Sequence, residues 1–273
     1  KSKEGVSNMA NGKKVAKKAE SNVVAFNSSM FEADAGQGME NMSQDDLALP
    51  FLKILGGMSR ELDNLEEARK GDIYNTVSSK VYKGKEGIEV ISAAYQRRFI
   101  QWAPLGEGTG APVQIYAPGD DMPKTERSVE DNKDYLLDGS GHYLEETHQH
   151  FVLVLNEDGG FERALVAMKS TQLKKSRKWN SMISSTTLQG SNGPFTPPRF
   201  SHVYLLKTLG EENSKGSWHG WEMSKVRLLG DQDNDAALYA AAKQFNESVS
   251  EGDVNVKHVS EADSPSISDD VPF

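Results

Sequence analysis

The residues best suited to chemistry in this chain are aromatic rings interleaved with cations. One run is Tyr95-Gln96-Arg97-Arg98-Phe99-Ile100-Gln101-Trp102. A second lies within residues 163–210, where Trp179, Phe195, Phe200, His202 and Tyr204 stand among Lys174, Lys175, Arg177, Lys178 and Arg199. The chemistry this pairing serves is noncovalent: cations track phosphates while aromatic faces stack unpaired bases, at ~1–3 kcal/mol per base. Stacking tolerates any base, so the expected binding depends weakly on sequence. Any one of these rings is by itself ordinary core material. Two separate runs, each with its own cations, carry the reading.

The charge distribution agrees. The 273 residues hold 31 Lys+Arg and 40 Asp+Glu, a formal net charge of −9, which normally argues against a polyanion as partner. The average conceals a segregation. Residues 163–210 contain no Asp or Glu, although acids fill about one position in seven overall. A surface that excludes negative charge is what a polyanion groove requires. The competing reading of the same window is a solvated basic helix face beside an acidic insertion. Residues 119–146 hold nine acids and three bases, with Gly and Pro scattered through, and read as an exposed loop or insertion. Residues 1–20 carry six Lys and two Glu, a basic arm without apolar periodicity, and from Asn246 to Phe273 seven acids face only Lys257.

Motifs for covalent chemistry are weak. His142, His148 and His150 with Glu145 and Glu146 form the densest set of potential metal ligands, and the i, i+2 spacing of His148 and His150 puts both on one strand face. Nothing elsewhere completes a metal motif, so no metal is expected. Gly106, Gly108 and Gly110 neither open a helix after a strand nor precede a Lys-Ser/Thr pair, so they match no phosphate-binding loop. No nucleophile elbow is present, and zero Cys excludes disulfides, thiolate metal sites and a cysteine nucleophile. The expectation is a non-enzymatic protein without cofactors, lacking any apolar run long enough for a membrane helix, and cytoplasmic. If the chain is phage-encoded, that means the host cytoplasm.

The elements that must position these residues follow from periodicity. Ile73–Val77 and Ile88–Ala94 read as strands, the second continuing toward Trp102 with Tyr95, Arg97 and Phe99 on one face and Arg98, Ile100 and Trp102 on the other. Phe151–Leu155 and Phe161–Met168 flank a hairpin turn at Asn156–Gly160. A basic helix runs from Ser170 or Thr171 to about Ile183, strands follow at Phe200–Leu206 and Trp218–Val226, and Asp233 opens an apolar-striped helix through Val249. The fold class is therefore mainly β (α+β), an OB-like antiparallel barrel with insertions, a basic helix and a C-terminal helix, between disordered termini. The divisions are a flexible basic arm at 1–45, a nucleic-acid-binding core at 46–245 and a disordered acidic tail at 246–273.

The chain ends Asp269-Asp270-Val271-Pro272-Phe273. This tip resembles that of bacterial and phage single-stranded DNA-binding proteins, which finish with acids, an aliphatic residue, Pro and a terminal Phe. The resemblance covers the tip and, more loosely, the plan of a binding core followed by a polar acidic tail; it does not extend to the core sequence. It implies a protein of phage replication or recombination that coats single-stranded DNA and recruits replication, recombination and repair partners through Phe273. Physically, Phe273 offers a ring and an α-carboxylate to an apolar pocket edged by bases, Pro272 stiffens the approach, and Asp269 and Asp270 meet surrounding cations. The DNA contacts expected are Tyr95, Arg97, Arg98, Phe99, Trp102, Lys174, Lys175, Arg177, Lys178, Trp179, Arg199 and Phe200. Further copies of the chain are a third class of partner. The competitors are a virion or assembly component, whose basic window meets an acidic protein, and a metal-dependent nuclease using the histidine cluster. A strand-annealing recombinase is a closer variant of the main reading.

Overall fold

The computed structural model describes residues 34–42, 47–104, 106–213, 216–254, 256 and 258. The chain divides into two units, Lys1–Met42 and Ser43–Phe273. In the first, residues 34–42 form turns, closed by Gln37 Nε2 donating to Asp34 Oδ1 at 2.9 Å and by the Gly38 N–H donating to Glu40. In the second unit, the apolar stretch after Leu49 builds a small antiparallel sheet of β1 (Leu52–Ile54), β2 (Ile73–Asn75) and β3 (Val81–Tyr82), with the short helix α1 (Glu61–Asn64) between β1 and β2.

Two long strands rich in β-branched and aliphatic residues form the spine of the protein. They are β4 (Ile88–Trp102) and, after β5 (Gln114–Tyr116), β6 (Thr125–Arg127) and β7 (Asp134–Leu136), the strand β8 (Tyr143–Leu155). The turn at Asn156–Gly160 leads into β9 (Phe161–Lys169), a 3₁₀ turn and the helix α2 (Leu173–Ser184). A small hairpin, β10 (Leu188–Gly190) and β11 (Gly193–Phe195), precedes the long hairpin of β12 (His202–Asn213) and β13 (Gly216–Leu228), and α3 (Asp235–Glu251) follows. The main sheet has eight strands in the order β13-β12-β4-β8-β7-β6, with β5 beside β4 and β9 beside β8. It is antiparallel and curls as a half-barrel, in keeping with the mainly β, barrel-like architecture expected from the sequence.

Each face of the sheet carries a helix, because each face is apolar where the helices lie. On one side Trp179 and Ile183 of α2 pack with Val90, Val152, Val166, Met168 and Tyr204. On the other, Leu238, Ala242, Phe245 and Val249 of α3 pack with Ile91, Ala94, Phe151, Leu165 and Val203. The α3 spacing of four, three and four residues keeps one stripe against the sheet. Asp235 anchors its first turn, receiving the Arg227 guanidinium at 2.7 Å and the backbone N–H groups of Gly230, Asp231 and Gln232. The Arg227 hydrogen bond chiefly holds this carboxyl down at about 2. Gly252, at φ +85°, ends the helix in the left-handed conformation that a side chain resists.

A β-bulge in β4 decides which side chains reach which helix. The ladder between β4 and β8 shifts register between Ser92 and Ala94, so Val90 and Ser92 face α2, while Ile91, Ala93 and Ala94 face α3. One extra residue exchanges the parity of everything beyond it. Tyr95, Arg97 and Phe99 thereby emerge on the α2 side, and Gln96, which donates to the Val249 carbonyl of α3 at 3.2 Å, on the other.

Two expectations are corrected. The acidic segment 119–146 is not simply a loop: β6, β7 and the start of β8 lie within it and extend the main sheet. The distal end of β8 offers unpaired backbone groups, and pairing with them outweighs the poor strand propensity of the segment. The acidic tail does not begin at Asn246. That residue is inside α3 and donates to the Ala93 carbonyl at 2.9 Å. Val254 and Val256 pack beside the α3 core, and the His258 ring meets Phe51 edge-on at 5.9 Å and Gln149 Nε2 at 2.8 Å. The tip residues Asp269, Asp270, Val271, Pro272 and Phe273 lie outside the described residues. No helix among the described residues is long and apolar enough to cross a membrane.

Candidate nucleic-acid interface

The face that β4 turns toward α2 beyond the bulge carries cations and rings in alternation. Arg199, from the 3₁₀ turn before β12, lies over the Tyr95 ring with Cζ 5.3 Å from its centroid. Two residues on, Arg97 lies over Phe99 at 4.9 Å. A strand rises ~3.3 Å per residue, so the two rings stand ~13 Å apart along β4. Tyr95 and Phe99 are half-buried, and the Arg97 side chain is 44% exposed.

The flank of this line is α2. Its core face holds Ser176, Trp179 and Ile183, which leaves Lys174, Arg177 and Lys178 on the outside, all exposed. Among the described residues Lys174 and Lys178 have no ion-pair partner. Lys175 projects elsewhere and pairs with Glu211. Arg177 and Arg97 come from different elements and meet at one carboxylate, Glu146: its Oε1 lies 2.8 Å from Arg97 Nε and 3.6 Å from Arg177 Nη2.

Behind Glu146 a buried polar chain ties the sheet to α2. His148 Nε2 is 2.9 Å from Glu146 Oε1, His148 Nδ1 is 2.7 Å from Ser176 Oγ, and His150 Nε2 is 2.8 Å from the same hydroxyl. One assignment of protons satisfies all three contacts. His150 Nε2–H donates to Ser176, the Ser176 hydroxyl donates to His148 Nδ1, and His148 Nε2–H donates to Glu146. Under that assignment His150 Nδ1 is a bare acceptor, and it is indeed buried without a partner. Burial pushes both histidines below their ordinary value, His150 far below, so both rings are neutral at pH 7. Burial works to raise Glu146, but the His148 hydrogen bond and the charges of Arg97 and Arg177 outweigh it and hold the carboxylate ionised.

Arg199 is the deepest cation of the interface. It donates to Ser92 Oγ at 2.8 Å and to Asn180 Oδ1, with no carboxylate partner among the described residues, and burial brings its guanidinium down to about 10. A guanidinium held by neutral groups keeps its full positive field in the site.

The structure thus brings together Tyr95, Arg97, Phe99, Arg177 and Arg199, with Lys174 and Lys178 on the adjoining helix face. It separates others. Trp179 is fully buried and stacked on His150 at 4.6 Å, because its position on α2 falls on the core stripe. Trp102 is 8% exposed, on the opposite face of β4, with Nε1 donating to Glu145. Phe200 is 8% exposed, packed in the α3 core with Tyr239 edge-on at 5.1 Å. These three rings offer no face to a base. Arg98 shares Trp102's face and donates to the Arg97 carbonyl. By contrast Phe195 on β11 is 47% exposed, folded toward Gly190, where an added Cβ would sit 3.1 Å from its ring.

The histidine cluster does not assemble around a common point. His142 contacts Gln101 at 2.8 Å, while His148 and His150 are engaged with Ser176, and no group of three or more potential ligands is placed to hold a metal among the described residues. Glu146, Ser92 and Asn180 were not legible as interface residues: each acts across strands or between elements, which no spacing within one segment reveals.

A family model described as Pam3 phage gp34-like protein matches residues 17–255. No curated protein and no solved structure matches.

Proposed function

Since the chain belongs to the Pam3 phage gp34-like family, we propose that it is a phage protein that binds single-stranded DNA without marked sequence preference, in replication or recombination. The observation that carries this reading is the line of Tyr95, Arg97 and Phe99 on β4, with Arg199 laid over Tyr95 from the turn before β12, beside the exposed Lys174, Arg177 and Lys178 of α2. Phosphates meet the guanidinium and ammonium groups, and unpaired bases lie against the half-exposed Tyr95 and Phe99. Duplex DNA keeps its bases stacked on one another and gains nothing from the rings. The protein performs no covalent step in this reading, and the acidic tip ending in Phe273 recruits partner proteins.

The test is anisotropy of labelled oligo-dT against matched duplex at several salt concentrations. Anisotropy is preferred to intrinsic fluorescence because Trp102 and Trp179 are buried and offer no face to a base. Preferential binding of oligo-dT is expected. The double charge reversal Lys174→Glu and Lys178→Glu should weaken it and lower the slope of log affinity against log salt by ~1.4, about 0.7 per phosphate contact. Equal affinity for duplex, or an unaltered slope in the variant, overturns the reading.

One observation favours a second reading, an assembly component. The strand β13 is the terminal strand of the main sheet, with Val226 44% exposed on it, and a long edge strand is a template for another chain. Self-association without oligo-dT affinity in sedimentation would select that reading.

A further inference from the structure

The most accessible arginines of the interface are already occupied by an anion, and that anion belongs to the protein. Glu146 Oε1 gathers Arg97 Nε at 2.8 Å, His148 Nε2 at 2.9 Å and Arg177 Nη2 at 3.6 Å. Three nitrogens from β4, β8 and α2 converging on one oxygen are the surroundings expected of a phosphate oxygen. Every one of these contacts falls on Oε1. The carboxylate is held from behind by the buried His148–Ser176–His150 chain, so it cannot swing away freely, whereas the Arg97 and Arg177 side chains, 44% and 60% exposed, can.

We propose that Glu146 is an internal phosphate surrogate: it pre-positions Arg97 and Arg177 in the free protein and competes with the DNA backbone for them. The inference rests on the single-stranded DNA reading above and concerns the regulation of that same surface. A backbone phosphate arriving at the line of cations takes over the outer donors of both arginines, and Glu146 retains His148. The carboxylate thus sets a threshold. A lone anion gains too little to displace it, while a strand that also engages Arg199, Lys174, Lys178 and the two rings gains enough. The inner hydrogen bond from His148 fixes where the arginines wait, so they are ordered before binding and lose less side-chain freedom on contact.

The test compares Glu146→Gln with Glu146→Asp. Glutamine keeps the size and the hydrogen bond to His148 but removes the charge, and aspartate keeps the charge. Partly exposed ion pairs hold weakly, so freeing the two arginines should tighten oligo-dT binding by roughly two- to tenfold. The salt slope should stay the same, because a bound strand engages both arginines in either chain. Glu146→Asp keeps the charge one methylene further back and should fall between the parent chain and Glu146→Gln. A second measurement needs no variant: in the parent chain, saturation with oligo-dT should shift the side-chain carboxyl resonance of Glu146 and the Nε2 resonance of His148. Binding by the parent with unchanged or weaker binding by Glu146→Gln, or with both resonances unmoved, overturns the surrogate and leaves the DNA reading standing. Absence of oligo-dT binding by the parent chain removes both.

Discussion

Replacing Ser176 by Ala should cost far more stability than a serine on a helix ordinarily contributes. The hydroxyl is fully buried and stands between two histidines, 2.7 Å from His148 Nδ1 and 2.8 Å from His150 Nε2. Removing it strands one acceptor and one N–H donor at a site without water access. Each stranded group costs about 1–3 kcal/mol. Alanine returns roughly 0.5 kcal/mol of helix propensity, so the net loss is about 1.5–5.5 kcal/mol. That is a large fraction of the ~5–15 kcal/mol by which a folded protein is stable. Urea unfolding followed by far-UV circular dichroism should show a midpoint lowered by roughly 0.5 M or more, given slopes of about 1–3 kcal/mol per M. Trp179, stacked on His150, gives a local optical probe of the same event. Ser181→Ala, an exposed position five residues along the same helix, is the control and should stay within about 0.5 kcal/mol of the parent. A Ser176→Ala loss no larger than that of the control would refute the reasoning, because the histidines would then have been satisfied some other way.

Other expectations follow from the same geometry. Burial holds His148, His150, His202, His219 and His258 below the ordinary histidine value, His258 down to about 4. The unfolded chain takes up protons near pH 6.5 while these folded rings stay neutral. The stability they contribute is therefore intact above about pH 6.5 and is lost as pH falls toward 4. Urea midpoints measured from pH 7.5 to 4.5 should decline steadily, less so in His258→Gln; a flat profile would contradict the assigned burial. Trp179→Ala should destabilise by about 3–5 kcal/mol, as large core truncations do, and any fall in oligo-dT affinity should vanish once the folded fraction is corrected for. A selective loss of affinity in a fully folded variant would return Trp179 to the interface. Removing residues 269–273 should leave oligo-dT affinity intact or raised while abolishing capture of replication or recombination partners; undiminished capture would assign that role elsewhere.

The main elements were legible because their residues obey simple periods. The apolar runs in β4, β8 and β9, the turn at Asn156–Gly160 and the apolar stripe of α3 each declare themselves locally. The strands β6 and β7 did not, since an acidic, Gly-containing segment becomes a strand only when a partner edge is present. Trp179 shows the main error in reading the site. Its neighbours Lys174, Lys175, Arg177 and Lys178 made it look like a ring among cations, yet the same residues mark an amphipathic helix, and such a helix turns its large apolar side chains inward. Lys174, Arg177 and Lys178 stand on the outer face, and the expected rings left half-exposed are Tyr95 and Phe99 on β4. The split of Arg97 from Arg98 was correctly read from alternation, but which helix each would face was fixed by the bulge, which alternation alone does not reveal.

That bulge makes the face presented by the far half of β4 depend on chain length at residues 92–94. A single-codon deletion at Ala93 or Ala94 would leave composition, net charge and nearly every side chain untouched. It would nevertheless rotate the distal half of β4 by half a turn, delivering Gln96, Arg98 and Ile100 to the α2 side and sending Tyr95, Arg97 and Phe99 toward α3. Substitutions at Ala93 and Ala94 leave that parity in place, while a change of one in length reverses it.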